Sequence, residues 1–215
     1  MEDPLLTDGL NHLREVDEDF ARALGMIAPL PSRQRDMGFE ALTRIIIEQQ
    51  VSLASAAAIW GRVQDDIAPF TPTEFLKRSE DRLRELGLSR PKARYCLALA
   101  GDISEGRLDL DRLPDLSDKE AAEHLTQVKG IGRWTAEIYL ISCLQRPDIW
   151  PAGDVALQIA LQHLKSLETR PTIDEMDDIC AHLSPHRTLA ARVLWRYYVD
   201  VVKPPKNSKP VQTPA

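Results

Sequence analysis

Apolar residues recur at three- and four-residue spacing through most of this chain, and no stretch shows the strict alternation of a half-buried strand. Leu6, Leu10 and Leu13, then Phe20, Leu24 and Ile27 after Asp17, define two short amphipathic helices that Pro29 and Pro31 bring to an end. Phe39, Leu42, Ile46 and Gln50 share a helical face, and Ser52 is placed to cap a following helix through Ala58 and Val63. Pro69 and Pro72 mark a break. Leu83 and Leu86 stop at Gly87, a good helix end, and Pro91 falls in the first turn of the next helix, where its missing N–H costs nothing. Ser117 and Glu120 have capping-box spacing and start a helix that runs to about Gln127. After Gly132 the chain is apolar and helical to about Leu144, and further helices are predicted over 155–167, 173–183 and 185–202. The fold class is all-α. The tail from Lys203 is rich in proline, and residues 205–215 are predicted to be disordered.

A chain of 215 residues accommodates one large domain or two small helical subdomains and can bury a real core. Its 43% hydrophobic and 28% charged residues are those of a soluble globular protein. No apolar run approaches a membrane span, and the acidic start Met1-Glu2-Asp3-Pro4 lacks the basic and apolar regions of a signal peptide. The expectation is a cytoplasmic protein with no membrane partner. Cys96, Cys143 and Cys180 are far apart among apolar neighbours, which predicts buried thiols rather than a disulfide framework, a zinc site or an iron–sulfur cluster. The net charge of −6 runs against the basic character expected of a nucleic-acid-binding domain. Yet the first twenty residues carry seven acids against Arg14 alone, so they account for the whole imbalance. Basic residues collect between Lys77 and Arg94 and again at Arg187, Arg192, Arg196, Lys203 and Lys206. Each cluster reads equally as a phosphate-attracting face or as an ordinary solvated one.

The informative stretch is Leu125-Thr126-Gln127-Val128-Lys129-Gly130-Ile131-Gly132-Arg133-Trp134-Thr135-Ala136. One helix ends, two glycines one residue apart make a tight turn, and a second helix begins at once. Such a hairpin presents backbone N–H groups at a helix N-terminus beside Lys129 and Arg133, a site that can take a phosphate without reading sequence. Taken alone, it is as readily a plain helix–helix connector.

The wider pattern is more specific. Val128-Lys129-Gly130-Ile131-Gly132-Arg133-Trp134-Thr135-Ala136, followed by Trp150-Pro151-Ala152-Gly153-Asp154, resembles the helix-hairpin-helix (HhH-GPD) DNA glycosylase superfamily, and within it the AlkA-like DNA-3-methyladenine glycosylase II branch. Ile45 to Ser52 resembles the helix end that carries paired glutamines in that branch, and Leu86 to Ala93 resembles its Gly-Leu-Ser…Lys-Ala segment. Ser184-Pro185-His186-Arg187-Thr188, with Trp195 beyond, resembles its C-terminal Pro-x-Arg-Ser/Thr helix. The similarity runs in order from about Asp8 to Val202, without the N-terminal β-rich domain of some members.

This resemblance implies one glycosylase domain over residues 1–204. Its N- and C-terminal helices would form one subdomain and central helices over about 52–145 the other, with a DNA- and base-binding cleft between them. It implies a base-excision repair enzyme that flips alkylated purines of the 3-methyladenine and 7-methylguanine type out of duplex DNA and releases them hydrolytically. Asp154 falls at the family's catalytic aspartate, where a carboxylate stabilises the oxocarbenium character that develops at the sugar. Asp154 also follows Pro-Ala-Gly, as a helix N-cap would. Members that cut the strand through a Schiff base carry lysine at position 134, so Trp134 implies a monofunctional enzyme that leaves an abasic site. Trp134 and Trp195 match base-pocket positions, where an indole face attracts a cationic base by roughly 0.5–2 kcal/mol. Trp60 and Trp150 are assigned to packing. Gln49 and Gln50 match the side chains that fill the gap left by the extruded base. Lys129, Gly130, Gly132 and Arg133 would meet DNA phosphate, and the carbonyls of Thr126, Val128 and Ile131 would hold a structural Na+ or K+. No cofactor is required, and the expected partner is double-stranded DNA containing alkylated bases, bound by a monomer. Two positions depart from the family pattern: Gly153, where relatives often have a second acid, and Glu48, where many have a small residue. Glu48 reads either as a second acid or as a salt-bridged structural residue.

Two readings from other classes compete. One is a non-catalytic helix-hairpin-helix DNA-binding module, which the ordered presence of Asp154, Trp134 and the glutamine pair argues against. The other is a helical protein-interaction scaffold. Within the enzyme class, a glycosylase for hypoxanthine, ethenoadenine or mismatched bases stays open.

Overall fold

The computed structural model describes residues 4–204, and no strand occurs among them; the tail expected over 205–215, with Lys206, lies outside the described residues. The helices are α1 (Pro4–Val16), α2 (Glu18–Met26), α3 (Phe39–Glu48), α4 (Leu53–Asp66), α5 (Pro72–Phe75), α6 (Glu80–Glu85), α7 (Arg90–Ser104), α8 (Asp118–Thr126), α9 (Arg133–Ser142), α10 (Val155–Leu164), α11 (Ile173–Ile179) and α12 (Arg187–Tyr197). Short 3-10 turns at Leu113–Asp115 and Ala181–Leu183 and a π turn at Tyr198–Val202 complete the set. The local signals act where their chemistry places them. Asp17 caps α2, Ser52 caps α4, and Ser117 with Glu120 forms a complete capping box on α8. The helix expected to reach residue 167 ends at Leu164, because Ser166 turns into the left-handed region at φ 52°. The predicted 173–183 helix tightens into a 3-10 turn after Ile179, and the last helix opens at Arg187 rather than at Pro185.

The chain divides into two compact units, one of residues 34–145 and one of residues 1–33 with 146–215. The central unit thus begins at Gln34, not near residue 52 as the family resemblance implies. The reason is α3: Leu42, Ile45, Ile46 and Ile47 are at most 1% exposed, and the helix packs on α4, α7 and α9. Phe39, Trp60, Phe70 and Phe75 form an aromatic cluster, with the rings of Trp60 and Phe70 5.1 Å apart. Tyr139 of α9 is fully buried, its hydroxyl accepting from the Gly38 amide at 2.9 Å.

In the terminal unit, α12 packs on α1, α2 and α10 around Leu13, Phe20, Leu157, Leu161 and Leu194, all fully buried. One of the seven N-terminal acids is also inside. Asp17 caps α2 with one carboxylate oxygen and takes Lys165 Nζ at 2.8 Å and His182 Nε2 at 2.9 Å on the other. Burial alone would raise its carboxyl, but the bonds from Lys165, the Phe20 amide and His182 outweigh that and hold it below the ordinary value. The three cysteines are buried thiols, and burial pushes Cys96 and Cys180 up to about 12. No described helix is long and apolar enough to cross a membrane.

Candidate active site and hairpin

Asp154 stands at the head of α10, and its Oδ1 accepts from the amides of Ala156 at 2.9 Å and Leu157 at 3.1 Å. The N-cap reading therefore holds, and it is compatible with a catalytic one, because two amide bonds fix the carboxylate in one orientation. The segment leading to it is pinned from several sides. Trp150, 4% exposed, donates its indole N–H to Met176 O at 3.2 Å, and Gln158 donates to Ala152 O at 3.0 Å. Before Trp150, the side chain of Thr188 donates to Arg146 O and accepts from the Ile149 amide, while Arg187 forks onto Asp148 at 2.8–2.9 Å. The Pro-x-Arg-Thr motif thus fastens the approach to Asp154 to the start of α12, the helix that carries Trp195. A Cβ on Gly153 would touch Ile173 only at 3.8 Å, an ordinary contact, so packing there does not itself require glycine.

Trp195 is 8% exposed, and the Arg33 guanidinium lies over its ring at 4.7 Å. One face of the expected pocket aromatic thus already meets a cation. Trp134 is half-buried and lies in the first turn of α9, in the central unit. Trp60 packs inside the central unit and Trp150 inside the terminal one.

In the hairpin the two glycines do not have the same reason to be there. Gly130 has φ 96°, and a Cβ would come within 2.1 Å of the Tyr95 ring. Gly132, the N-cap of α9 at φ −91°, has nothing within 4 Å of a Cβ, and no side chain caps the helix. The turn closes through Ile131 N–H to Val128 O at 3.0 Å, whereas among the described residues the carbonyls of Thr126 and Ile131 accept no hydrogen bond. Carbonyl oxygens are ligands for hard cations, and of the three expected to hold one, Val128 O is the one already engaged by a hydrogen bond. Among the described residues there is no group of three or more His, Cys, Asp or Glu that could hold a metal. Lys129 is exposed. Arg133 is drawn back along α9 to Glu137 at 2.7 Å, so of the two basic side chains expected at phosphate only Lys129 lacks an ion pair among the described residues.

At the end of α3 the paired glutamines separate. Gln49 donates from Nε2 to Thr135 Oγ1 at 2.7 Å, which ties it to the helix that follows the hairpin. Gln50 is exposed and sits at φ 53°, a left-handed conformation that costs a non-glycine residue about 1–2 kcal/mol. Glu48 is held by Arg35 at 2.7 Å and Arg44 at 3.0 Å, the salt-bridged alternative. Sequence reasoning did not single out Lys92, Tyr95 or Thr135 individually, although Lys92 lay within the quoted Gly-Leu-Ser…Lys-Ala segment and Thr135 within the quoted hairpin stretch.

The basic stretch from Lys77 to Arg94 is not a free positive face. Arg78 and Arg82 converge on Asp66, Arg90 and Arg94 on Glu80, Arg84 on Asp81 and Lys77 on Glu74.

The description "HhH-GPD superfamily base excision DNA repair protein" matches residues 43–186. A DNA-3-methyladenine glycosylase 1 from Schizosaccharomyces pombe is 32% identical, with the alignment covering 95% of this chain and 93% of that protein. A solved structure of the S. pombe 3-methyladenine DNA glycosylase Mag1 in complex with abasic DNA superposes with TM-score 0.81 at 31% identity, over 87% of this chain and 95% of that one. A DNA-3-methyladenine glycosidase from Bacillus halodurans superposes with TM-score 0.75 at 27% identity, over 92% and 90% of the two chains. Hairpin, capped aspartate and likeness over nearly the full length agree: this chain belongs to the HhH-GPD superfamily of base excision DNA repair proteins.

Proposed function

We propose that this protein is a monofunctional DNA glycosylase that binds duplex DNA, extrudes an alkylated purine and hydrolyses its N-glycosidic bond, leaving an abasic site. The observation that carries the reading is Asp154, a carboxylate locked by two amide bonds at a helix head, in a chain alike to 3-methyladenine glycosylases over nearly all its length. Its negative charge would stabilise the sugar as the C1′–N bond breaks and orient the attacking water. A purine made cationic by alkylation leaves as a neutral base, so no strong general acid is needed. Trp134 and Trp195 would provide the aromatic faces for the cationic base, with Arg33 already lying over one face of Trp195. Gln50, the exposed member of the pair, would fill the vacated stack. Lys129 and the backbone of Gly130, Gly132 and Arg133 would bind phosphate. The carbonyls of Thr126, Val128 and Ile131 would hold Na+ or K+ there. We place the protein in the cytosol as a monomer.

The test is incubation with methylated duplex DNA and identification of the bases set free. Release of 3-methyladenine and 7-methylguanine, strand breaks only after alkali or heat, and no adduct trapped by borohydride are expected. Release of hypoxanthine or ethenoadenine alone would overturn the alkylated-purine reading. DNA binding with no release of any base would favour the non-catalytic module.

A further inference from the structure

The C-terminal end of α3 is held by a residue from another helix. Lys92, in the first turn of α7, is half-buried and donates from Nζ to Ile47 O at 2.8 Å and to Gln49 O at 2.5 Å. These carbonyls belong to the last turn of α3 and the residue after it, where helix carbonyls lack partners and the helix dipole is negative. Burial lowers the Lys92 amine below its ordinary value, so the two bonds are made at a desolvation cost that a surface lysine would not bear. Three residues further along the same helix, the Tyr95 ring fills the space beside Gly130 in the hairpin. The turn after α3 is therefore fixed at two points, its backbone by Lys92 and its Gln49 side chain by Thr135. Gln50 follows directly in the strained left-handed conformation, which persists only where the surroundings impose it.

We propose that Lys92 is a positioning residue for base extrusion: by bonding the carbonyls of Ile47 and Gln49 it imposes the turn that presents Gln50 to the gap in the DNA stack. This rests on the reading of Gln50 as the gap-filling side chain. Lys92 touches neither substrate nor reacting atoms in this scheme, and the hydrolytic step at Asp154 does not depend on it.

The experiment measures single-turnover release of 7-methylguanine at saturating enzyme from two duplexes. In one the lesion is paired with cytosine and in the other it lies unpaired in a bulge, where little extrusion energy is needed. Lys92→Met keeps the aliphatic stem and removes the ammonium. It is expected to slow release from the paired duplex at least tenfold, and from the bulge less than threefold, with affinity for undamaged duplex within twofold of the parent. Lys92→Arg, which keeps charge and donors, is expected to recover most of the paired-duplex rate. The Lys92→Met, Gln50→Gly double variant should be no slower on the paired duplex than Gln50→Gly alone, since both act through one turn. Equal slowing on both duplexes, or additive slowing in the double variant, would assign Lys92 a general structural role and overturn the proposal. If Lys92→Met does not fold, Lys92→Gln is read by the same ratio of rates, and an unchanged ratio there overturns it as well. If Gln50→Gly itself releases the paired base at the parental rate, the gap-filling reading falls and the Lys92 proposal with it. If Gln50→Gly is slow and Lys92→Met is not, only the Lys92 proposal falls.

Discussion

Gly130 and Gly132 stand one residue apart and answer to different neighbours. Gly130 is required by the protein: its φ of 96° and the Tyr95 ring leave no room for a side chain. Gly130→Ala should destabilise the fold by about 2–4 kcal/mol, combining a left-handed backbone penalty with overpacking, and a thermal melt checks it. Gly132 has ordinary backbone angles and open space. Gly132→Asp should melt at or above the parental temperature, because aspartate is a better N-cap than glycine. It should nevertheless lose at least about tenfold in duplex affinity, since it sets a negative charge where phosphate would approach. A Gly132→Asp protein that binds DNA normally would remove the hairpin from the interface. Asp154 can be dissected in the same way, because capping and chemistry make different demands. Asp154→Asn keeps a capping oxygen and should fold normally while base release falls by about two to four orders of magnitude. Asp154→Ala should be equally inactive and also lose about 1 kcal/mol of stability. Parental turnover in Asp154→Asn would move catalysis elsewhere.

At the scale of elements, the basic helices and turns are largely neutralised by their own neighbours. The arginines between positions 78 and 94 end on Asp66, Asp81 and Glu80, and Arg187 and Arg196 end on Asp148 and Asp200. Of the two readings of those clusters, the solvated face prevails for these residues. DNA would then be gripped mainly by the backbone at the start of α9, by Lys129 and by a hairpin cation. Fewer than about five phosphates should be neutralised by basic side chains, so the slope of log affinity against log salt should be smaller in magnitude than about 4.5. A steeper slope across a salt series would mean that the ion-paired arginines let go of their acids to take phosphate.

For the molecule as a whole, the terminal unit is closed by an ion cluster between residues 148 positions apart, Asp17 and Lys165, with His182 on the same carboxylate oxygen. Removing Asp17 leaves Lys165 half-buried with, among the described residues, only Asp19 as a carboxylate partner, so Asp17→Ala should cost about 3 kcal/mol, the capping loss included. Because the Asp17 carboxyl is held below its unfolded value, its contribution is present above the unfolded carboxylate pKa of about 3.9 and is lost as pH falls through the folded value. The parent should therefore lose stability steeply below about pH 4, and Asp17→Asn should flatten that dependence in melts recorded from pH 3 to 6. An unchanged acid limb would assign it to other carboxylates.

What the sequence determined by itself was local and periodic. Helical spacing, caps at Ser52 and Ser117, and the glycine hairpin depend on residues three or four apart, so they can be read without knowing what packs where. The resemblance to the glycosylase family, carried by short ordered motifs, is what singled out Asp154, Trp134 and the glutamine pair. Only the tertiary structure decided partners across long separations. It put α3 with the central unit, since the burial of Ile45, Ile46 and Ile47 depends on α4, α7 and α9. It turned the basic runs into ion pairs and set a lysine 45 positions away on the carbonyl of Ile47. It also told the two glutamines apart, because which of two adjacent polar side chains is tied down depends on Thr135, 86 residues further on. Charge and hydrogen-bond capacity are written in each residue, but whether they are spent inside the protein or left for DNA is a property of the packed chain.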